Sequence, residues 1–420
     1  MMTMYTLRCP GCEEPFNLRL GIGPAKMARF YAPCPHCSLP IRGRSHGQDL
    51  ESHRVEFEAE ALPSEASLDA DFVTVDPNVP SKYNAAQRGE LGTFPTMTLV
   101  HLVGDERAGA LFETFSRSRT AAEKLWPKVR RIYEYYLVED WRNFDKAGRA
   151  AFDDWQAKST THERATMAHQ AVAIATISMT DGIDDSARRY LYRFHVKHTS
   201  ALRSSAYIHS ARADVASGLV PGLQRSVFDV IDRFIGHFEA WQMGVLRRVM
   251  PPDRLPLLRE LTLFRDEFDI LRDLYQQGFE TVCKTLRFAV AAQNTVKRQS
   301  PGDFGTDLPN GVDLKANPTS LKAFDDKLSN AARLAFVRQV PGWQDYAALL
   351  NNRTRNAIGH ATARHDLRTG RVFSDKEPAG VQYLDLVADV FGVFDALCTS
   401  LQVLRAVRVV SSPDFKNAPL

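Results

Sequence analysis

Apolar residues recur at steps of three and four over most of this chain, and at steps of two only near its start. Leu111, Phe112, Phe115, Trp126, Val129, Ile132, Tyr133 and Tyr136 keep helical spacing, with Pro127 opening a new helix. Val227, Val230, Ile231, Phe234, Ile235, Phe238, Trp241, Val245 and Val249 predict one long helix, stopped by Pro251 and Pro252. Phe264, Phe268, Leu271, Leu274, Tyr275, Cys283 and Leu286 predict another that reaches about Lys297. A loop rich in Gly, Pro, Asn and Asp fills 300–318. Shorter helices follow near 320–338 and 343–358, then a turn or hairpin at 366–373. The last helix runs over about 381–408 on the stripe Leu384, Val387, Val390, Phe391, Phe394, Leu397 and Leu401. Four or five antiparallel helices with such stripes make an up-and-down bundle.

Period two governs the first part. Tyr5, Leu7, Phe16 and Leu18 alternate with polar residues, as short strands do, and "RVEFEAEA" at 54–61 alternates in the same way. The acidic, proline-containing stretch 62–82 reads as a linker that docks through Phe72, Val73 and Val75. The expected division is a small β module over 1–48, a linker over 49–94, a helical middle region over 95–218 and a helical bundle over 219–412. The fold class expected is mainly α.

Composition narrows the function classes. With 44% hydrophobic and 25% charged residues, disorder over the whole length is excluded. A net charge of +3 is too weak to argue for nucleic acid alone, so any such surface must be a local basic patch. "MMTMYTLRCPGC" has no apolar core of signal-peptide length. No run of about 18 apolar residues occurs either, so no membrane span and a cytoplasmic protein are expected.

Four of the six cysteines fall in the first 37 residues, as "CPGC" at 9–12 and "CPHC" at 34–37. A pair separated by two residues places both sulfurs on one tetrahedral ion. Two pairs supply four thiolates, the closed set of a structural zinc site. Cys9, Cys12, Cys34 and Cys37 are therefore the candidate metal ligands, and Zn²⁺ the expected cofactor. Proline and glycine within the pairs suit the tight turns needed. The segment resembles a zinc ribbon. A redox or iron–sulfur site is disfavoured because no βαβ pattern surrounds the pairs. His36 and His46 read as surface residues, since four sulfurs fill the tetrahedron. Arg8, Arg19, Lys26, Arg29, Arg42 and Arg44, against Glu13 and Glu14, suit contact with nucleic acid or with a protein equally well.

In the middle region Lys124, Lys128, Arg130 and Arg131 mix with Tyr133, Tyr135, Tyr136 and Trp141. Such interleaving can bind single strands, but an amphipathic helix with a solvated basic face is favoured. The sharper feature is "RTRNAIGH" at 353–360, which ends the apolar run of Tyr346, Leu349 and Leu350. Gly359 reads as a helix terminator. Arg355 and His360 are five apart, about 140° around a continuous helix. They converge only if Gly359 breaks the helix or a second subunit completes the site.

"RNAIGH" resembles the motif of the HEPN superfamily, bundles of four or five helices whose ribonuclease members carry an arginine, four to six residues and a histidine. A polar residue, often asparagine, commonly follows the arginine. The bare pattern also fits Arg193…His198, Arg189…His195, Arg203…His209 and Arg353…His360. Asn356 after the arginine, the helix end late in a bundle-like region, and the hairpin and closing helix that follow favour the 355–360 frame. The resemblance implies catalytic Arg355, Asn356 and His360, metal-independent cleavage of an RNA substrate, and a homodimer or higher homo-oligomer with facing motifs. It also implies a toxin–antitoxin or anti-phage abortive-infection role, with a regulatory protein or phage trigger as a further partner.

Residue chemistry suits that role. RNA carries its own nucleophile, the 2′-hydroxyl. Histidine titrates where a base is needed, and arginine is a fixed cation for the phosphate. Two alternatives stand beside it. One is a non-catalytic zinc-ribbon and helical adaptor. The other is a metal-dependent hydrolase using His195 and His198, for which Asp184 and Asp185 lack ligand spacing.

Overall fold

A computed structural model describes residues 2–23, 25–47, 52–63, 70–82, 94–180, 198, 200–359 and 362–417. The start of the chain forms two antiparallel hairpins. β1 (Met2–Arg8) pairs with β2 (Pro15–Gly21), from Met2 opposite Gly21 to Arg8 opposite Pro15. β3 (Met27–Pro33) pairs with β4 (Pro40–His46). The hairpins supply core residues from both faces: Leu7, Phe16, Leu18 and the consecutive Phe30 and Tyr31 are fully inaccessible.

The stretch 49–94, expected as a linker, is in its described part half strand. β5 (Arg54–Phe57) pairs with β4, and β6 (Glu60–Leu62) pairs with β1. β7 (Phe72–Val75) runs parallel to β2, placing Val73 and Val75 in the core. β8 (Ser81–Lys82) pairs with β9 (Leu261–Thr262). The physical reason is edge coverage. Each hairpin leaves open backbone donors and acceptors, and the nearest period-two segments satisfy them.

The chain divides into two compact units that do not follow sequence order. The first comprises Met1–Ser116, His237–Asp273 and Arg353–Phe391; the second comprises Arg117–Gly236, Leu274–Asn352 and Gly392–Leu420. The segment 219–412 thus contributes to both. In the first unit, Phe264 and Leu367 enter the same apolar cluster as Leu7, Phe16 and Phe30. Arg265 is buried there, donating to the Pro77 carbonyl at 2.6 Å, to the Glu239 carbonyl, and to Glu267 at 3.0 Å. A charge taken out of water needs this much pairing. Three strands close the unit: β10 (Arg364–Asp366), β11 (Arg371–Ser374) and β12 (Glu377–Gln382), all antiparallel.

Helix dominates the second unit, and the chain as a whole is mainly α. Trp126–Leu137 follows a π-turn at Ala121–Leu125. Trp126, Tyr133 and Tyr136 are core: Tyr133 stacks on Phe228 at 4.3 Å, and the Tyr133 hydroxyl lies 3.2 Å from His169 Nε2. Arg130 pairs with Glu134 and Asp232. This stretch is the amphipathic helix with a solvated basic face. Arg287 is nearly buried between Asp214, at 3.2 Å, and Asp325.

One helix differs from the expectation. The helix expected over 227–249 is Leu219–Gly236, followed by the short turns Phe238–Trp241, Gln242–Val245 and Leu246–Val249. Gly244 lies in this irregular stretch, where a Cβ would come within 2.5 Å of the Val387 carbonyl. A close backbone approach takes precedence over apolar periodicity there. The last helix, Tyr383–Ser411, is long and apolar enough to span a membrane, but 83% of its most apolar window is buried inside the protein. Core packing accounts for its composition.

Candidate metal centre and the polar helix end

The two cysteine pairs sit in matching turns. Cys9 N–H donates to the Glu14 carbonyl and Glu13 N–H to the Cys9 carbonyl; Cys34 N–H donates to Leu39 and Ser38 N–H to Cys34. Glu13 and Ser38 both take a left-handed φ of 61°, which turns the chain back into the hairpin. Each turn aims two sulfurs at the other. The four sulfurs lie within 4.8 Å of one another, with Cys9–Cys37 at 3.6 Å and Cys12–Cys34 at 3.7 Å.

These separations test the fit. A disulfide would need about 2.05 Å. Four thiolates around one ion at a metal–sulfur distance of about 2.3 Å stand about 3.8 Å apart. The sulfurs are therefore spaced for a tetrahedral ion. His36 points elsewhere: its Nε2 lies 3.4 Å from the Pro15 carbonyl and its Nδ1 3.7 Å from Asp71.

"RTRNAIGH" lies in the same compact unit. The helix Asn352–Ile358 buries Thr354, Ala357 and Ile358 and exposes Arg353 and Asn356. It is anchored at two points. Thr354 donates to Asp389 Oδ2 at 2.5 Å, and Arg353 holds Glu377 through two hydrogen bonds of 2.8 and 2.6 Å. That pairing raises the pKa of Arg353 and lowers that of Glu377, the hydrogen bond being the larger cause in each. Arg353 is thus committed to the frame.

The helix stops at Ile358. Gly359 N–H donates to the Arg355 carbonyl at 2.9 Å, and a Cβ at Gly359 would come within 2.7 Å of that oxygen. Gly359 is not in the left-handed region that usually marks a terminating glycine. It is needed for the close approach instead. Half-buried Arg355 sends its guanidinium to this end, with Nη1 3.9 Å from where that Cβ would be. Asn356 faces solvent. His360 lies outside the described residues, as do His195, Asp184 and Asp185 of the hydrolase alternative. His198 is buried, edge-on to Trp343 at 6.4 Å.

Sequence reading missed the anchors. Asp389 carried a signal, a carboxylate set among the apolar positions of the last helix. Glu377 carried none, because its partner is 24 residues away. His365 was also missed. Its ring stacks on Tyr383 at 4.4 Å and meets Tyr31 edge-on at 5.7 Å. Both ring nitrogens are buried, and burial lowers its pKa to about 4.

No family model, curated protein or solved structure matches this chain.

Proposed function

We propose that this protein is a metal-independent endoribonuclease of the HEPN kind, with Arg355, Asn356 and His360 as its catalytic group. It acts in the cytoplasm as a homodimer or larger homo-oligomer, in an anti-phage, abortive-infection or toxin–antitoxin role. The observation that carries this reading is the helix end. The helix stops at Ile358, and the Arg355 guanidinium lies at Gly359, where the chain enters His360. The separation of about 140° belongs to an unbroken helix, and this helix ends two residues before His360.

In this mechanism His360 takes the proton from a 2′-hydroxyl, whose oxygen attacks the adjacent phosphorus. The bond to the 5′-oxygen breaks and that oxygen takes a proton from water. The products are a 2′,3′-cyclic phosphate and a 5′-hydroxyl. Arg355 offsets the charge that develops on the phosphate, and Asn356 orients the histidine or binds phosphate. The four-cysteine turns hold a structural Zn²⁺ that folds its module and takes no part in the chemistry.

The test compares wild type with His360→Ala for growth arrest, RNA cleavage and product end groups, with zinc content checked in both. Wild type should cleave in the presence of a weak Mg²⁺ chelator, and His360→Ala should not cleave. Equal behaviour of the two proteins, or an absolute need for Mg²⁺ in the folded protein, sinks the reading. The closed thiolate set favours a second reading, a non-catalytic adaptor. Function retained after changing both Arg355 and His360 would select it.

A further inference from the structure

The sheet β10–β12 has one face packed and the other partly covered, with Gln382 donating to the Arg259 carbonyl at 2.9 Å and Arg364 exposed. His365, Val372 and Val381 share the inner face, where Val372 is fully inaccessible. Cross-strand register puts Arg364 and Phe373 together on the outer face, with Arg371 and Gln382 beside them. Two flat groups are seated there on one glycine. Arg371 donates to the carbonyls of Ala379 and Gly380 at 3.0 and 3.1 Å. The Phe373 ring lies over Gly380, where a Cβ would come within 2.7 Å of it, and Gly380 has a φ of 69°. Only glycine fits that position. Phe373 is half-buried, and no other ring of the described residues stacks on it.

Charge surrounds this platform. Arg364, Arg368 and Lys376 are exposed, and none has an ion-pair partner among the described residues. Asp366 is occupied in the turn, accepting from Arg368 N–H at 3.0 Å and the Thr369 hydroxyl at 2.9 Å. Glu377 is held by Arg353. Asp375 is the exposed acid of the second turn. Residues 353–377 carry six Lys and Arg against three acids, an excess equal to the net charge of +3 for the whole chain.

We infer that the outer face of β10–β12 binds single-stranded RNA, with a base stacked on Phe373 and phosphates on Arg364, Arg368 and Lys376. Planar groups beside unpaired cations are what an unstacked strand requires, and a duplex hides its bases from them. From the Arg368 turn to the Lys376 turn is about 17 Å at about 3.4 Å per residue, room for a few nucleotides. The Arg353–Glu377 pair fixes the second turn beside the helix that carries Arg355 and Asn356. The track therefore leads to the proposed cleavage site, and its purpose rests on the RNA-cleaving reading.

The experiment measures binding of a short, labelled, unstructured RNA by full-length protein, against the same sequence as a duplex, over a range of salt. Wild type should prefer the single strand. Arg364→Ala/Arg368→Ala/Lys376→Ala should weaken binding at least tenfold and flatten the salt dependence by about two in log–log slope, at about 0.7 per phosphate contact. Phe373→Ala should weaken binding about tenfold without changing that slope, and Phe373→Tyr should restore it. Thermal melting and zinc content show whether each variant is folded. If the triple variant binds as wild type does, or duplex binds as well as single strand, the proposal is overturned. No RNA binding by wild type also overturns it, and leaves a protein partner as the occupant. His360→Ala inactive beside a triple variant that binds and cleaves normally would defeat this inference alone. His360→Ala fully active beside a triple variant that has lost binding would defeat the nuclease reading alone.

Discussion

Glu13 and Ser38 hold the same backbone φ, 61°, each directly after the second cysteine of its pair. The two turns are copies of one local solution, so they respond alike to substitution. Ser38→Gly is expected to keep the metal and gain up to about 1 kcal/mol, and Ser38→Val to lose about 1–2 kcal/mol, because a branched side chain resists that conformation. Cys34→Ser should remove the bound zinc and lower the melting temperature. Elemental analysis beside thermal melts checks this, and a full zinc complement in Cys34→Ser would exclude the site.

Arg355 and Gly359 form a unit at the helix end. Arg355→Lys keeps the charge but loses the planar fork, and cleavage should fall about a hundredfold or more while the melt is unchanged. Gly359→Ala forces a Cβ against the Arg355 carbonyl, where the space is 2.7 Å. It should cost activity as well. Single-turnover rates with matched melting curves decide, and wild-type rates in both variants would remove Arg355 from the mechanism.

His365 predicts a loss of stability in acid. Burial holds its pKa at about 4, with the Arg42 charge also lowering it and Asp366 opposing. Between the ordinary value of 6.5 and about 4, the unfolded chain takes a proton that the folded chain refuses. The stability present above pH 6.5 is therefore lost as pH falls through that window, by about 3 kcal/mol at most. His365→Phe keeps the stack on Tyr383 and removes the titration. Its stability relative to wild type should climb from pH 7 to pH 4.5, measured by denaturant titration. A difference independent of pH would refute the assignment.

Asp76 works in the opposite sense. It is buried against Gly21 and accepts from Asn78 and Val79 N–H at 2.7 and 3.2 Å, and burial raises its pKa to about 6. The fold favours the protonated acid. That contribution is complete below the ordinary 3.8 and is lost as pH rises through about 6. Asp76→Asn can accept both hydrogen bonds without a charge, so it should exceed wild type by up to about 3 kcal/mol near pH 7.5 and by little near pH 4. Urea midpoints at the two pH values test this, and equal gains at both would count against it.

Features encoded within a few residues were legible in the sequence. The cysteine spacing carries its own metal geometry, and the helix Phe268–Arg298 follows its apolar stripe to within a few residues of expectation. What escaped depends on distant partners. Only Glu267 within "LFRDEF" hints that Arg265 is buried, because its other two acceptors lie at Pro77 and Glu239. Arg353 and Arg355 look interchangeable until Glu377 claims the first. The break after Gly236 is equally silent, since Phe238, Trp241 and Val245 stay buried through irregular turns.

The core shared by Leu7, Phe16 and Phe30 with Leu367 sets a clock on synthesis. Roughly 290 residues separate β7 from Leu367, and at about 5–20 residues per second a ribosome needs roughly 15–60 s to make them. For that time the nascent hairpins lack a wall of their core. The cysteine turns are local and can close on an ion at once, so metal capture would steady the first strands while the rest of their unit is still being made.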